Sequence, residues 1–141
     1  MANLPPQAKE FLAANHNAVV STFRRDGGVQ LSIVTCGLYG GGVAFTTTRA
    51  RVKAANLLRD PRCTILVSKP QWFGYVVVEG KARLLTSENT AKDKLLAALR
   101  DVYRVAAGKE HPNWQEYDEV MVRDRRVAVI VEPGKVYGTA L

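Results

Sequence analysis

Cysteine and histidine are scarce in this chain, with two of each among 141 residues. Cys36 and Cys63 are too few for a disulfide scaffold and are not spaced as a metal knuckle; they read as small buried apolar residues. His16 and His111 have no Cys, Asp or His at ligand spacing, so no metal site is expected. No apolar run approaches the ~18 residues of a membrane span, and the N-terminal stretch MANLPPQAKEFLAANHN is too polar and mixed for a secretory signal. A reducing cytoplasm is the expected compartment. Catalytic signatures are missing as well: there is no Gly-x-Ser-x-Gly, no His-Glu-x-x-His and no Gly-x-x-x-x-Gly-Lys. The glycines between Gly37 and Gly42 link two expected strands, which is the wrong context for a dinucleotide fingerprint.

Carboxylates are outnumbered, 13 Asp and Glu against 20 Lys and Arg, leaving a net charge of +7. With 47% apolar and 23% charged residues the composition is that of a folded domain. The length suits one domain over residues 1–141, which can bury roughly two-thirds of its unfolded surface without a staple. The basic surplus has two readings: a solvated basic surface, or an anionic partner such as a phosphorylated cofactor, an acidic tail or nucleic acid.

The pattern along the chain predicts a helix capped by Asn3, with Pro5 and Pro6 in its first turn and Ala8, Phe11 and Leu12 on one face, ended by Asn15–Asn17 in left-handed-tolerant residues. Strands are expected over Ala18–Phe23, Val29–Cys36, Val43–Thr47, Arg62–Ser68, Phe73–Leu85 and Arg126–Tyr137, with a hairpin turn at Asp26-Gly27-Gly28 and a second turn from Gly37 to Gly42. Val29, Leu31, Ile33 and Thr35 share one face of their strand; Gln30, Ser32, Val34 and Cys36 share the other. Gly74 and Gly80 are the expected bend or bulge points of the long strand. Helices are expected over Arg49–Asp60, Ser87–Val105 and Trp114–Val122, the second capped by Thr86 or Ser87 with Ala91, Leu95, Leu99, Val102 and Ala106 as its buried stripe. Hairpin spacing makes the sheet mainly antiparallel and closed, with six strands and helices outside.

One segment carries chemistry. Thr46-Thr47-Thr48-Arg49-Ala50-Arg51-Val52-Lys53-Ala54-Ala55-Asn56 leaves a strand and enters a helix, with three cations and no carboxylate. A helix start presents unpaired N–H groups and partial positive charge, so hydroxyls and cations there make a phosphate site. Arg51 can grip two oxygens through its planar fork and Lys53 adds a point charge. A solvated basic helix start with a threonine cap is the competing reading. Nucleic acid is the less favoured anion: Arg24, Arg25, Arg123, Arg125 and Arg126 form no continuous run, and Trp72 and Phe73 read more simply as the wall of a barrel or of a dimer pocket.

The segment TTTRARVKAANLLRDP (46–61) resembles the phosphate-binding strand-to-helix turn of the pyridoxamine 5′-phosphate oxidase-like, flavin-reductase-like split β-barrels. Phe73-Gly-Tyr-Val-Val-Val-Glu-Gly80, Trp114-Gln-Glu-Tyr117, Met121-Val-Arg-Asp-Arg-Arg126 and Lys135-Val-Tyr-Gly138 extend the likeness over nearly the whole chain, and the last looks like the subgroup that binds the deazaflavin coenzyme F420. The resemblance implies a six-stranded split barrel acting as a homodimer with cofactor sites at the subunit interface. It implies that Arg51 and Lys53, with Asn56 a turn later, hold the cofactor phosphate. It places the ring system against Gln30, Ser32, Thr46, Thr47, Thr48 and the backbone as far as Ala50. No catalytic residue is implied, because a deazaflavin or flavin carries the hydride itself. The C-terminal Arg-x-His that grips substrate in the true pyridoxamine phosphate oxidases is absent from Val136-Tyr-Gly-Thr-Ala-Leu141. Val52 and Ala54 flank Lys53 where the family often has a further basic residue. The implied activity is an F420-dependent reduction of a small unsaturated or quinone-like acceptor, with FMN as the alternative cofactor and a non-catalytic F420 carrier as the alternative role.

Overall fold

The structure, a computed structural model, describes residues 3–141. Its elements run α1 (Pro6–Ala14), β1 (Asn17–Phe23), β2 (Val29–Thr35), β3 (Gly37–Tyr39), β4 (Gly42–Thr48), α2 (Val52–Arg59), β5 (Arg62–Ser68), β6 (Tyr75–Leu85), α3 (Lys92–Ala107), α4 (Trp114–Arg123) and β7 (Arg126–Tyr137). All pairings are antiparallel, in the order β2-β1-β5-β6-β7-β4-β3. No helix among the described residues is long and apolar enough to cross a membrane.

The sheet has seven strands rather than six. The residues 37–39, expected to belong to a turn, continue the run of β2 and pair with Gly42–Ala44 on the opposite edge of the sheet. Only Cys36 separates β2 from β3, so one stretch of chain joins the two edges and curls the sheet on itself. His16 holds that crossing point from both sides: its carbonyl accepts from the Cys36 N–H and its Nδ1 donates to the Cys36 carbonyl, each at 2.8 Å. The curl leaves a split where β2 departs from β4 to run beside β1, and α2 fills its inner side.

Two apolar clusters follow from strand alternation. The interior holds Val20, Val43, Phe45, Ile65, Val67, Val76, Val78 and the odd-numbered valines of β7, plugged by Leu4, Ala8, Phe11 and Leu12 around α1 and by Ala54 and Leu57 of α2. The second lies on the other face of β4 and β7, where Ala44, Ala128 and Ile130 meet Leu95, Leu99 and Val102 of α3 and Tyr117 and Met121 of α4. β7 is therefore buried on both faces. Cys36 and Cys63 are buried, and burial pushes both thiols up to about 12.

Several helix ends differ from expectation, among them the start of α2, which is Val52 rather than Arg49. The cap of α1 is Pro5 rather than Asn3 and makes no side-chain cap bond. Asn15 closes that helix in an extended conformation, its side-chain amide donating to the Phe11 carbonyl at 3.0 Å. α3 starts at Lys92, not Ser87, because Asn89 ties residues 86–90 into a turn of their own: Oδ1 accepts from the Thr86 N–H and Nδ2 donates to the Leu84 carbonyl, both at 2.8 Å. Ala91 is consequently exposed. Gly108 ends α3 in the left-handed region at φ 71°, and the ladder between β6 and β7 shifts register at Glu79/Gly80.

Candidate functional site

β4 runs into α2 through a tight corner. The Arg51 N–H donates to the Thr48 carbonyl at 3.1 Å, and the Arg49 N–H to the Arg125 carbonyl at 2.8 Å, which fastens the corner to the start of β7. Arg51 caps α2 in extended conformation without a side-chain cap bond, and the helix's first turn holds no acidic residue. The corner therefore keeps the N-terminal partial positive charge of a helix with no carboxylate of its own first turn to balance it.

The cations there divide into two groups. Arg49 and Arg125 both reach Glu88 Oε1 at 3.3 Å, an exposed bridge whose one carboxylate offsets part of their charge. Arg51, Lys53 and Arg126 form no ion pair among the described residues, and Lys53 lies close enough to both arginines to feel their charge. Burial first, then the charges of Arg51 and Arg126, hold the Lys53 ammonium below its ordinary value of 10.5. Like charges gathered without a counter-ion destabilise a fold, and an anion at this corner would offset them.

Arg126 sharpens the point. Its Nε is buried and has no hydrogen-bond partner, and no other such side-chain atom occurs among the described residues. A sealed guanidinium N–H without an acceptor costs about 1–3 kcal/mol. Arg125, immediately before it, is held at φ 51°, a left-handed conformation unusual for a residue with a side chain. The pairing Thr48↔Arg126 then delivers the guanidinium to the corner. Nothing in the spacing along the chain marks Arg126, because its neighbours Arg123 and Arg125 are basic too; only the β4–β7 register distinguishes it.

Strand alternation sorts the other residues expected at the site. Thr46 and Thr48 lie on the face of β4 that carries Arg126. Thr47 points the opposite way, 3% exposed in the interior. Gln30 and Ser32 also turn inward, paired with Thr22 and Val20, while Val29, Leu31, Ile33 and Thr35 form the outer face of β2. Ala50 sits exposed in the turn. Asn56 is buried and its amide is engaged: Nδ2 donates to Thr22 Oγ1 at 3.1 Å and Oδ1 accepts from Arg59 Nη2 at 3.1 Å, while Thr22 donates on to Gln30 Oε1 at 3.3 Å. The structure thus brings Thr46, Thr48, Arg51, Lys53 and Arg126 to one corner. It places Gln30, Ser32, Thr47 and Asn56 on the inner side, where Asn56 pins α2 to β1. An Asn56→Ala variant should lose roughly 2 kcal/mol of stability in urea unfolding, since it strands Thr22 and Arg59 partners. Beyond Thr46 the corner opens onto a cavity of about 470 Å³ under α3 and α4, with Arg126 in its wall.

A doubly or singly charged phosphate suits this donor set: two guanidinium forks, one ammonium and the helix start, with a buried N–H lacking an acceptor. An anion at the corner would restore the Lys53 ammonium toward its ordinary value. Phosphate affinity should therefore fall as pH rises through the lowered Lys53 value, below 10.5. Titration of inorganic phosphate at increasing pH checks this, with Lys53→Ala removing that limb of the profile.

Comparison with known proteins gives a consistent result. The family described as pyridoxamine 5′-phosphate oxidase matches residues 4–140. A conserved hypothetical protein of Mycobacterium tuberculosis superposes with a TM-score of 0.77 at 19% identity, covering 98% of this chain and 85% of that one. A protein named F420 reductase gives 0.68 at 21% identity, over 95% of this chain and 98% of that one. A pyridoxamine 5′-phosphate oxidase-related, FMN-binding protein of Nostoc punctiforme gives 0.67 at 14% identity, over 92% and 76%. At these identities the superpositions speak for the fold. The match of the family over nearly the full length goes further: this chain belongs to the pyridoxamine 5′-phosphate oxidase family of flavin-binding oxidoreductases.

Proposed function

We propose that the protein is an F420-dependent oxidoreductase that works as a homodimer and reduces a small unsaturated or quinone-like acceptor. The observation that carries the reading is the cation cluster of Arg51, Lys53 and Arg126 around a buried, acceptorless N–H. A bound deazaflavin would supply the hydride. Arg51, Lys53 and Arg126 bind its phosphodiester, and the rigid corner holds them in place before binding, so little side-chain freedom is lost. Thr46 and Thr48 offer hydroxyls along the strand leading from the phosphate, which orients the attached ring. The polyglutamate tail of F420 suits a chain with a surplus of seven positive charges, and that surplus suits the phosphate of FMN equally.

The dimer reading rests on an apolar row across one face of the sheet, exposed at its two ends and buried at Val77. The registers line up Ile33, Val19, Leu66, Val77 and Tyr137 on β2, β1, β5, β6 and β7. Ile33 is 84% exposed and Leu31 64%, far more than an isolated subunit needs to show water. An Ile33→Glu variant should therefore run as a monomer in light scattering where the parent runs as a dimer; a variant that remains dimeric would exclude this face.

Titrating the protein with F420 and FMN side by side, each oxidised and reduced, tests the assignment. Saturable binding of F420 with weaker FMN binding is expected. Tight FMN binding with a flavin spectrum would transfer the reading to an FMN enzyme, and F420 binding without turnover on any acceptor would make the protein a carrier.

A further inference from the structure

α3 and α4 run antiparallel and meet once per turn. Arg104 lies over Trp114, 4.5 Å from its ring centre. One turn further, Arg100 Nε donates to Asp118 Oδ1 at 2.9 Å, and beside it the Tyr117 hydroxyl donates to the Leu99 carbonyl at 2.9 Å. The next turn brings Leu96 of α3 to Val122 of α4, two apolar residues with no polar group to join them. The turn after that holds only cations: Lys92 opens α3, and Arg125 and Arg126 follow α4. The helices are therefore held together at one end and parted at the other.

The parted end is a slot of about 200 Å³. Its walls are aliphatic, formed by Leu95, Leu96, Leu99, Met121 and Val122. Leu95, Leu99 and Met121 are buried, whereas Val122 is 48% exposed, so the slot reaches water at its rim. The rest of the lining is Ser87, Thr90, Lys92, Arg125 and Arg126, without a carboxylate.

This division sets the chemistry of an occupant: apolar over most of its length, anionic at one end. The hydroxyls of Ser87 and Thr90 already donate, to Glu88 Oε2 at 3.4 Å and to Asn89 Oδ1 at 2.6 Å, so the cations must hold the head. Lys92 forms no ion pair among the described residues. Arg125 gives one Nη to Glu88 Oε1 at 3.3 Å and keeps its other donors, while Arg126 is left to the corner. Asp93, in the first turn of α3, is not in the lining. One ammonium and a partly offset guanidinium match a singly charged carboxylate. At about 30 Å³ per water, the slot has room for roughly seven non-hydrogen atoms of tail. With no aromatic ring in the walls, nothing favours stacking, and a flexible aliphatic tail fits best.

We infer that this slot binds a free aliphatic monocarboxylate of about eight carbons, its tail between Leu96 and Val122 and its carboxylate on Lys92 and Arg125. The site is distinct from the coenzyme corner and stands whether or not that corner takes F420.

The test is equilibrium dialysis of the full chain against labelled octanoate below its micelle concentration. Octylammonium, with the same tail and the opposite charge, and acetate, with the head alone, serve as comparison probes. Octanoate should bind saturably, at least tenfold more tightly than either. Lys92→Glu sets a like charge beside the head, and Val122→Asp sets a carboxylate beside the tail; each should weaken octanoate at least tenfold. Both positions are exposed, and an acidic residue at the start of α3 suits the helix dipole, so both variants should keep the fold. Lys53 does not line the slot, and Lys53→Ala should leave octanoate affinity within about twofold. Equal binding of octylammonium or acetate, unchanged octanoate affinity in either slot variant, or its loss in Lys53→Ala would each overturn the assignment.

Discussion

The double variant Lys53→Ala/Arg126→Leu should lose coenzyme affinity by roughly a thousandfold while folding at least as well as the parent. Each charge-assisted contact to a phosphate is worth about 1.5–3 kcal/mol, so Lys53→Ala alone should weaken binding tenfold to a hundredfold. Arg126→Leu should match it, because the substitution removes a guanidinium whose Nε has no acceptor among the described residues. The two sites share a partner, so their effects need not add. Stability moves the other way. Lys53 is partly buried and faces Arg51 and Arg126, which lower its affinity for a proton. The resulting penalty on the folded state is fully present below the lowered folded value and is relieved as pH rises toward the ordinary 10.5. Removing the ammonium removes that penalty at neutral pH. Isothermal titration and thermal unfolding on the same samples read both effects. Lost binding with an unchanged or raised Tm marks a ligand site, whereas lost binding with a lowered Tm would mark a merely structural cluster.

Gly80→Ala should be the most damaging single methyl in the sheet. Gly80 sits where the β6–β7 ladder shifts register, opposite Pro133. A Cβ there would run into the Glu132 carbonyl, with the Gly134 N–H close behind; both are backbone and neither can swing away. Relief requires the two strands to part at the bulge, where overpacking typically costs 1–3 kcal/mol and a fixed backbone puts this case near about 3 kcal/mol. In a domain of this size that corresponds to a fall in Tm of roughly 10 °C in a thermal scan. The cation corner lies at the far end of β4, so coenzyme affinity measured well below the transition should be retained.

The order of elements could be read from the chain because local signals agreed: β-branched runs separated by turn residues, and one long amphipathic stripe through Leu95, Leu99 and Val102. β3 could not. Gly37-Leu38-Tyr39 is flanked by glycines and looks like a turn; its identity as a strand depends on three pairings with β4 that only the curl of the sheet creates. The start of α3 was hidden for a related reason. Thr86, Ser87 and Asn89 are good caps, and the side chain of Asn89 spends its capacity on a separate turn.

The site was half legible. Arg51 and Lys53 stand out as cations at a strand-to-helix junction, a purely local pattern. Which face of a strand looks outward is not local. The alternation in β2 separates Gln30 and Ser32 from Leu31 and Ile33, and the ordinary rule would bury the apolar set. Here the apolar set is outside, with Ile33 84% exposed, and the polar set faces Thr22 and Asn56. The inversion is physically sensible where a second subunit covers that face. Arg126 lies 73 residues beyond Lys53 in the chain and reaches it only through the Thr48↔Arg126 pairing.

The central claim is that the unpaired cations of the β4–α2 corner hold a coenzyme's phosphate. A crystal structure of the protein with F420 tests it most directly. The account predicts phosphate oxygens within about 3 Å of Arg51, Lys53 and the Arg126 Nε. A phosphate bound elsewhere, with those three side chains still without an anionic partner, would contradict it.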